Sequence, residues 1–493
     1  MNAQVRRVML VFAVLFGALF VNLNVLALVQ ADTLREDPRN TRGLIREYER
    51  PRGQIIVGER DDAVAIARSE ETDGRLRYRR TYPEGDRYAH LTGFHSFVYG
   101  REELEREFND ALSGRGADAL TRNVADLLAG REPPGDTLRL EIDPAVQDAA
   151  IAGLEGRTGA IVALEPSTGA VLALASSPTY DPNPLASHDG AEVRSAWEEL
   201  EADEANRRLN RAIRETYAPG STFKLVTAAA ALERGYRPDS VFDDPVELEL
   251  PLTTATIRNF GGGTCAGGDR ITLSQALVVS CNTTFGQLGL DLGGDELVDT
   301  AEGFGVNEEL AFDLPSVAAS AFPREELDEP TAAQSAIGQR DVRVTPLQMA
   351  LISATIANDG QMMQPRVVDQ VEDASGRVVE AYQPEELQLG GLLGASARPI
   401  SAETARALRA MMEEAVASGT GTNAQIDGVD VAGKTGTAEA TEGRDPLAWF
   451  TGFVDDGEAE VAVAVVSTDG GGDATGGAVA APVAREVMRA ALE

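Results

Sequence analysis

Only two lysines occur in this 493-residue chain, Lys224 and Lys434, although the chain carries 44 basic residues. The other 42 are arginines. Arginine does not give up its proton in a protein, whereas a buried lysine can lose it and act as a base. Lysine at two positions of a chain that otherwise uses arginine therefore indicates that proton transfer takes place at those positions.

The segment PGSTFK, residues 219–224, places a serine three residues before the first lysine. The Pro–Gly pair predicts that a helix begins at or near Ser221. One helical turn then brings the Ser221 hydroxyl and the Lys224 amine onto one face. N–H groups at a helix start favour negative charge on the serine oxygen, and burial near a second cation lowers the pKa of a lysine. The pattern predicts a serine nucleophile with a lysine base.

The segment SCN, residues 280–282, is the second candidate for chemistry. A Ser280 hydroxyl that lies between two lysines can relay a proton. The amide of Asn282 can orient both Lys224 and the peptide bond of a substrate. This segment is therefore predicted to lie beside the serine and its base.

The segment KTGT, residues 434–437, is typical of a strand, whose edge can hydrogen-bond an extended peptide. The compact Lys434 ammonium can hold Ser280 and lower the pKa of Lys224, where a planar arginine would not fit. The threonine hydroxyls can bind a carboxylate. The predicted catalytic residues are Ser221, Lys224, Ser280, Asn282, Lys434, Thr435, Gly436 and Thr437. Those predicted to bind substrate are Ser221, Asn282, Thr435 and Thr437.

Each of these patterns is weak alone, but their joint occurrence is specific. S-x-x-K, S-x-N and K-T-G follow one another in the order found in penicillin-binding proteins and β-lactamases. The alternative interpretation is a helix-capping serine and two surface lysines. It leaves unexplained why the only two lysines of the chain fall within these patterns.

Helices and strands of an α+β domain surround the three segments. STFKLVTAAAALERGY predicts a buried helix, and TLSQALVVSCNTTFGQLGLDLG predicts a helical region that breaks at SCN. GAIVALEPSTGAVLALAS predicts a β-hairpin. Three further strands, in DGVDVAGKTGTA, AWFTGFV and EVAVAVVST, are expected to pair antiparallel. The order of elements predicts helices that cover a largely antiparallel sheet.

The N-terminal third indicates export. Val8–Val29 is an uncharged run long enough to span a bilayer, and two arginines precede it. It predicts an uncleaved signal-anchor with residues 1–7 in the cytoplasm and the rest outside; a cleaved signal peptide is the alternative. Residues 32–140, called the pedestal below, contain short strand signals such as GQIIV and AVAIA. Residues 141–493 form the predicted catalytic domain, after the loop GREPPGD.

Charge and cysteine content narrow the possible partners. The net charge of −35 makes a nucleic-acid partner unfavourable and predicts a solvated acidic surface. The two cysteines, Cys265 and Cys281, could form one disulfide in an exported protein or remain free thiols. Trp449 and Phe450 are expected in the core of the sheet rather than in a substrate wall.

Several longer segments resemble the class B penicillin-binding proteins, the D,D-transpeptidases of bacterial cell-wall synthesis. The similar segments are RGQIIVGE, GREELEREFNDALSG, NRAIRETYAPGSTFK and AIGQRDVRVTPLQMALISATIANDG, and NFGGGTC before SCNTTF is similar to the short actinobacterial members. The resemblance implies the penicillin-binding transpeptidase fold. That fold has an antiparallel five-stranded sheet covered by helices, a helical subdomain, a β-rich pedestal and one N-terminal transmembrane helix.

The resemblance also implies a two-step acyl transfer. Ser221 would attack the carbonyl between two terminal D-alanines of a peptidoglycan stem peptide, and an amine of a neighbouring stem would take the acyl group. The N–H groups of Ser221 and Thr437 would form the oxyanion hole, β-lactams would acylate Ser221, and Cys265 would pair with Cys281. No metal or organic cofactor is expected. A membrane-embedded glycosyltransferase of the shape, elongation and division family is an expected partner.

Three alternatives remain beside the transpeptidase. A D,D-carboxypeptidase would transfer the acyl group to water instead of to an amine. The motifs alone do not distinguish this hydrolysis from transpeptidation. A β-lactam sensor or a peptidoglycan-binding scaffold would not turn over, but a scaffold would have no need for Lys224. A class A β-lactamase is disfavoured because enzymes of that class normally lack the membrane anchor and the pedestal predicted here. They also need a glutamate for deacylation, and no convincing E-x-x-L-N segment lies between the second and third motifs of this chain.

Overall fold

The computed structural model describes residues 3–24, 45, 47–58, 62–74, 76–115, 134–324, 327–390, 395–438, 446–457, 460–469, 471 and 474–493. Its first helix, α1 (Ala3–Asn24), includes the apolar stretch Val5–Asn22, none of which is buried against other parts of the chain. This helix is long and apolar enough to cross a membrane by length and composition. Residues 25–29 of the predicted span lie outside the described residues.

Short strands and single-turn helices make up the described part of the pedestal. The strands predicted at GQIIV and AVAIA are confirmed as β1 and β2. The strands are β1 (Ile55–Val57), β2 (Val64–Glu71), β3 (Tyr78–Thr81), β4 (His95–Ser96), β5 (Gly100–Arg101) and β6 (Thr137–Leu140). The helices are a 3-10 turn at Gly85–Tyr88, α2 (Ala89–Thr92), α3 (Glu103–Glu107) and α4 (Asn109–Leu112).

The catalytic region follows as helices and strands in alternation. The strands are β7 (Gly159–Leu164), β8 (Val171–Ser177), β9 (Val241–Asp243), β10 (Glu247–Glu249), β11 (Thr256–Arg258), β12 (Arg270–Thr272), β13 (Val368–Glu372), β14 (Val378–Ala381), β15 (Gln388–Leu389), β16 (Ala395–Ser396), β17 (Val431–Ala438), β18 (Leu447–Asp455) and β19 (Glu460–Ser467). The α-helices are α5 (Pro144–Gly153), α6 (Gly190–Glu201), α7 (Arg211–Arg214), α8 (Lys224–Glu233), α9 (Leu273–Val278), α10 (Asn282–Leu292), α11 (Gly294–Gly303), α12 (Glu329–Ser335), α13 (Pro346–Ala357), α14 (Ala402–Ala417) and α15 (Ala481–Leu492). Shorter turns are the 3-10 helices Asn183–Ala186, Gly220–Phe223 and Thr422–Ala424 and the π-helix Gly476–Ala480.

The central sheet has five antiparallel strands in the order β17-β18-β19-β7-β8. It confirms the predicted hairpin, which is β7–β8, and the antiparallel pairing of the three C-terminal strands. Both faces of the sheet are buried, because α13 packs on one face and α5 with α15 on the other. The neighbours Trp449 and Phe450 point into the two different cores and are both fully buried, as predicted. The strand that carries KTGT, β17, lies at one edge of this sheet.

A second sheet joins the pedestal to the catalytic region. Its six strands lie in the order β14-β13-β6-β1-β2-β3. The hairpin β13–β14 comes from residues 368–381, far beyond the domain boundary expected near residue 140, yet it extends the pedestal sheet beside β6. Arg139 of β6 pairs with Glu372 of β13 at 2.9 Å across this junction, and Arg366 pairs at 2.6 Å with Glu141, the first residue after β6. The two regions are therefore continuous through backbone hydrogen bonds.

Ion pairs connect the pedestal to the segment that leads to Ser221. Both carboxylate oxygens of Glu103 lie 2.8 Å from the Arg214 guanidinium, which also donates to the Pro315 carbonyl at 2.9 Å. Glu103 is buried and has a φ of 48°, a left-handed conformation that favours glycine. A bidentate pair of this kind fixes geometry as well as charge, so it holds this strained backbone against α7.

The centre of the pedestal is a buried carboxylate between two arginines. Glu105 is fully buried, and its two oxygens accept from Arg52 and Arg80 at 2.5 Å each. Burial alone would raise the pKa of the Glu105 carboxyl, but the charges of Arg80 and Arg52 outweigh it and lower the pKa to about 2. The three charged side chains connect the segment RGQIIV, which contains Arg52, to the segment GREELE, which contains Glu105.

We predict that Glu105→Gln destabilises the chain by about 3–5 kcal/mol at neutral pH, because it leaves two buried arginines without their counter-charge. A carboxyl whose folded pKa lies below its ordinary value of 4.5 stabilises the fold above pH 4.5 and loses that contribution as the pH falls toward 2. The difference between wild type and variant in denaturant unfolding should therefore shrink between pH 4.5 and 2.

Glu70→Gln is the matched control for this prediction. Glu70 also pairs with an arginine, Arg68 at 2.9 Å, but its side chain is 40% exposed. Its substitution should change the free energy of unfolding by no more than about 0.5 kcal/mol. Equal effects of the two substitutions would contradict the role assigned to Glu105.

Candidate active site

Ser221 and Lys224 lie at the junction of two helical turns. The 3-10 helix Gly220–Phe223 contains the serine, and α8 begins at the lysine. Side chains three residues apart eclipse one another in a 3-10 turn, so the two side chains lie on the same side. Gly220 has a φ of +53°, and a Cβ there would lie 2.8 Å from the Thr437 carbonyl oxygen. Glycine is thus required for the serine to approach β17 this closely.

The Lys224 amine is fully buried and contacts the SCN segment. Its Nζ donates to the Ser280 carbonyl at 2.8 Å and to Asn282 Oδ1 at 2.7 Å, and Ser280 Oγ lies 3.3 Å away. Two acceptors that cannot donate occupy both N–H bonds of a neutral amine. The remaining lone pair is then free to take a proton from a hydroxyl. No hydrogen bond joins Ser221 to Lys224 in the described part of the chain.

Burial and a second charge make Lys224 easier to deprotonate. Burial lowers the pKa of Lys224 well below its ordinary value, and the charge of Lys434 lowers it further. Burial also lowers the pKa of Lys434 to about 7. The Lys434 ammonium donates to the Thr435 carbonyl at 3.0 Å. The contact expected between Lys434 and Ser280 is not among the hydrogen bonds of the described residues, and the influence of Lys434 on Lys224 is electrostatic.

The SCN segment turns sharply before α10. Ser280 has a φ of +61°, a conformation that costs a non-glycine residue about 1 kcal/mol or more. The turn directs both the carbonyl and the hydroxyl of Ser280 toward Lys224. Asn282, the first residue of α10, uses its Nδ2 to donate to the Arg258 carbonyl at 2.9 Å, which fixes its Oδ1 on the lysine side.

Asn259 holds the start of α10, a role that the sequence did not reveal. Its Oδ1 accepts from the backbone N–H groups of Asn282 at 3.1 Å and Thr283 at 3.0 Å. Its Nδ2 donates to the carbonyls of Pro245 and Gly263, both at 3.0 Å. The helix is therefore capped by a side chain 23 residues earlier, since its own N-cap residue, Cys281, provides no cap.

A disulfide joins Cys265 to Cys281, with Cα atoms 5.6 Å apart. The sequence left free thiols open, and the structure places the bonded pair next to the predicted site residues Ser280 and Asn282. The carboxylate of Asp244 accepts from the N–H of Cys265 at 2.7 Å. Residues 259–265 are consequently tied to the SCN segment at both ends, by Asn259 and by the disulfide.

The edge strand β17 is packed closely against the 3-10 turn that contains Ser221. A Cβ at Gly436 would lie 2.8 Å from the Pro219 carbonyl oxygen, so this position requires glycine. On the neighbouring strand, Trp449 Nε1 donates to the Ala218 carbonyl at 3.0 Å. Trp449 is thus a core residue, as predicted, that also positions the segment before Ser221.

The two threonines of β17 have polar partners beyond the strand. Thr435 Oγ1 lies 2.6 Å from Thr420 Oγ1, and Thr437 Oγ1 accepts from the Gly476 N–H at 3.3 Å. The residues around Thr420 and Gly476 therefore extend the hydroxyl-bearing surface of the strand. The sequence predicted a loop at residues 418–426 near the KTGT segment, whereas the segment around Gly476 was not singled out.

A cavity of about 400 Å³ opens over these residues. Five predicted site residues line it: Ser221, Ser280, Asn282, Thr435 and Thr437. Lys224 and Lys434 are fully buried beside the cavity, and Gly436 lies on β17 between Thr435 and Thr437. The structure also brings in residues that the sequence analysis did not name, among them Phe260, Gln339, Thr420, Asn423 and Thr475.

Comparison with known proteins gives consistent results. A model of the penicillin binding protein transpeptidase domain matches residues 159–489, and one of the penicillin binding protein A dimerisation domain matches residues 52–138. Peptidoglycan D,D-transpeptidase PbpA of Mycolicibacterium smegmatis is 42% identical over 502 residues, which cover 100% of this chain and 99% of the relative. The Mycobacterium tuberculosis PbpA is 40% identical and covers the same shares.

Solved structures are similar over the same length. A ceftriaxone acyl-enzyme complex of penicillin-binding protein A from M. tuberculosis has a TM-score of 0.84 and 38% identity, over 91% of this chain and 100% of that one. Pseudomonas aeruginosa PBP2 in complex with WCK 5153 has a TM-score of 0.73 and 28% identity, over 90% of this chain and 95% of that one.

We predict that Asn259→Ala destabilises the chain by about 1–2 kcal/mol and slows acylation of Ser221 by roughly 10-fold or more. The physical reason is that two N–H groups of α10 lose their acceptor. The start of α10 is then less well fixed, and the Asn282 side chain no longer holds the Lys224 amine in place. Denaturant unfolding and the rate of labelling by a fluorescent penicillin measure the two effects.

Asp143→Ala serves as the control, because Asp143 caps α5 with two similar hydrogen bonds, to Ala145 and Val146, but does not line the cavity. It should cost comparable stability and leave labelling unchanged. Normal labelling of the Asn259 variant would show that the cap does not position the site.

Proposed function

Because the chain belongs to the penicillin-binding protein transpeptidase family, we propose that it crosslinks peptidoglycan stem peptides by a serine acyl-enzyme and is covalently acylated by β-lactams. One observation of the structure carries the assignment of roles. Lys224 is a fully buried amine with both N–H bonds occupied, and it lies one 3-10 turn from Ser221. Such an amine has one chemical capacity left, which is to accept a proton.

In the first step, Ser221 Oγ forms a bond to the carbonyl carbon between the two terminal D-alanines. Its proton passes to the lone pair of Lys224, directly or through the Ser280 hydroxyl that lies 3.3 Å from Nζ. The tetrahedral intermediate collapses with cleavage of the C–N bond. The leaving amine of D-alanine receives the proton, and the acyl group remains on Ser221.

In the second step, an amine of a neighbouring stem peptide attacks the ester. The amine loses a proton to the same relay, Ser221 Oγ leaves with that proton, and a new amide bond forms. The neutral amine of Lys224 is restored for the next cycle. Each step thus needs the base to be deprotonated at its start, which agrees with the lowered pKa of Lys224.

The remaining site residues receive roles that bind and orient the donor. We assign the oxyanion to the N–H groups of Ser221 and Thr437, which line the same cavity. The hydroxyls of Thr435 and Thr437 bind the terminal carboxylate. The side-chain amide of Asn282 orients the peptide bond, while an extended donor lies along the open edge of β17.

The N-terminal helix supports a membrane location. We propose that α1 anchors the chain as a single span, with Arg6 and Arg7 on the cytoplasmic side and the pedestal and catalytic region outside the cytoplasm. This location gives the site access to peptidoglycan. It also makes a membrane-embedded glycosyltransferase of the shape, elongation and division family a suitable partner, since that enzyme would supply the glycan strands.

Lys224→Arg is expected to abolish labelling of Ser221 by fluorescent penicillin, because arginine retains its proton and does not fit between Ser280 and Asn282. Arg234→Lys is the control. It exchanges the same two residue types at an exposed position just after α8, where the arginine side chain is 63% exposed, and should label like wild type. Normal labelling of Lys224→Arg would refute the assignment of Lys224 as the base.

The acceptor is tested with the full chain in detergent, a stem-peptide thioester as donor and a D-amino acid amine as acceptor. Mass spectrometry should detect an acyl group on Ser221 and then an amide product whose yield rises with amine concentration. Ser221→Ala should form neither species. If saturating amine yields only the free acid, the chain is a D,D-carboxypeptidase, and if no acyl-enzyme forms, it is a binding protein without turnover.

A further inference from the structure

A second, much smaller cavity lies in the pedestal, beside the ion pair of Glu105. Its volume is about 10 Å³, which is about the room that one water-sized particle needs. Arg52, Arg80, His95 and Ser69 are among the residues that line it. This pedestal cavity shares no lining residue with the active-site cavity, so whatever it binds does not take part in the reaction at Ser221.

Arg80 lines the pedestal cavity and carries a hydrogen-bond donor that the chain does not use. Its Nε donates to Glu105 at 2.5 Å and its Nη1 donates to the Gly53 carbonyl at 2.6 Å. Its Nη2 is buried and has no hydrogen-bond partner among the described residues. The side chain is only 1% exposed, so bulk water does not supply the missing acceptor. A buried charged donor without an acceptor is costly, and this one requires an acceptor inside the cavity.

The buried charges around the pedestal cavity do not cancel. Arg52 and Arg80 share the single carboxylate of Glu105. Arg101 pairs with Glu47, the carboxylate that lines the cavity. Three guanidinium groups are therefore matched by two carboxylates in these pairs. Positive charge held away from water is unfavourable unless a counter-charge accompanies it.

The other polar side chains of the lining do not supply that negative charge. Burial lowers the pKa of His95 to about 4, so its ring is neutral at pH 7. Burial also raises the pKa of Tyr48, whose ring stacks on His95 with centroids 5.0 Å apart. The hydroxyl of Ser69 is bonded to the backbone N–H and carbonyl of Arg52, at 3.0 and 3.1 Å. A water molecule would accept from Arg80 but would leave the excess charge in place.

We propose that the pedestal cavity is a binding site for chloride, or for another monatomic anion of similar size, with Arg80 Nη2 as a ligand. The anion supplies both the missing acceptor and the missing negative charge. Phosphate and sulfate are too large for a cavity of about 10 Å³. The bound ion would be structural, because it completes the charge pairs that connect Arg52, Arg80 and Glu105.

The test follows denaturant unfolding of the full chain in detergent while sodium chloride replaces sodium gluconate at constant ionic strength. Gluconate has the same charge as chloride but does not fit the cavity. One anion that binds only the folded chain raises the equilibrium constant of folding about 10-fold for each tenfold rise in chloride above its dissociation constant. Bromide should act like chloride, because it is monatomic and similar in size.

Arg80→Lys should lose this chloride dependence, because lysine keeps the charge beside Glu105 but has no counterpart of Nη2. Arg79→Lys is the matched control. Arg79 is the preceding residue of β3, its side chain is 46% exposed, and it does not line the cavity. This control should keep the wild-type dependence.

Crystals of the wild-type chain grown in bromide give a second measurement that needs no variant. Anomalous scattering should show a bromide peak within hydrogen-bonding distance of Arg80 Nη2. The inference is overturned if that position holds only water, or if wild-type stability is the same in chloride and gluconate. It is also overturned if Arg80→Lys keeps the chloride dependence or if Arg79→Lys loses it equally. If Arg80→Lys does not fold, the bromide peak decides.

Discussion

The desolvation of one lysine amine is the constraint on which the rest of the site depends. Lys224 has no exposed surface, so its charged form is disfavoured and its proton is readily lost. A buried amine must still satisfy its N–H groups, and the Ser280 carbonyl and Asn282 Oδ1 do so at 2.8 and 2.7 Å. The same two contacts that make burial tolerable also leave the lone pair of the neutral amine without a partner among them. Arginine could meet neither requirement, which explains why lysine persists here in an arginine-rich chain.

The surrounding structure keeps three distant segments in contact with that amine. Trp449 on β18, the strand next to the edge strand β17, fixes the segment before Ser221, while glycine at position 436 lets β17 approach the turn. Asn259 and the Cys265–Cys281 disulfide fix the start of α10 from the other side. Each connection joins residues far apart in sequence, so the geometry of the site is a property of the packed domain rather than of any one motif.

The pedestal is more than an appendage to the catalytic region. The hairpin β13–β14 extends its sheet, and Glu103 pairs with Arg214 just ahead of the segment that contains Ser221. The left-handed backbone of Glu103 is maintained by that pair, which is an example of local strain held by tertiary contacts. Rigid connection at both places means that the orientation of the pedestal and that of the active site are set together.

The sequence by itself determined the chemistry, the family and the central sheet. Motif order, the two lysines and the alternating strand patterns are local signals, and the predicted fold and transpeptidase family are confirmed by the comparisons. The catalytic roles of the individual residues stay predictions. Only the tertiary structure decided that Asn259 caps α10, that Phe260 stands at the cavity and that residues 368–381 complete the pedestal sheet. The cap and the sheet depend on contacts between residues 23 to more than 200 positions apart, for which a linear pattern holds no signal. Whether a polar side chain caps a helix or faces water is settled by what packs against it.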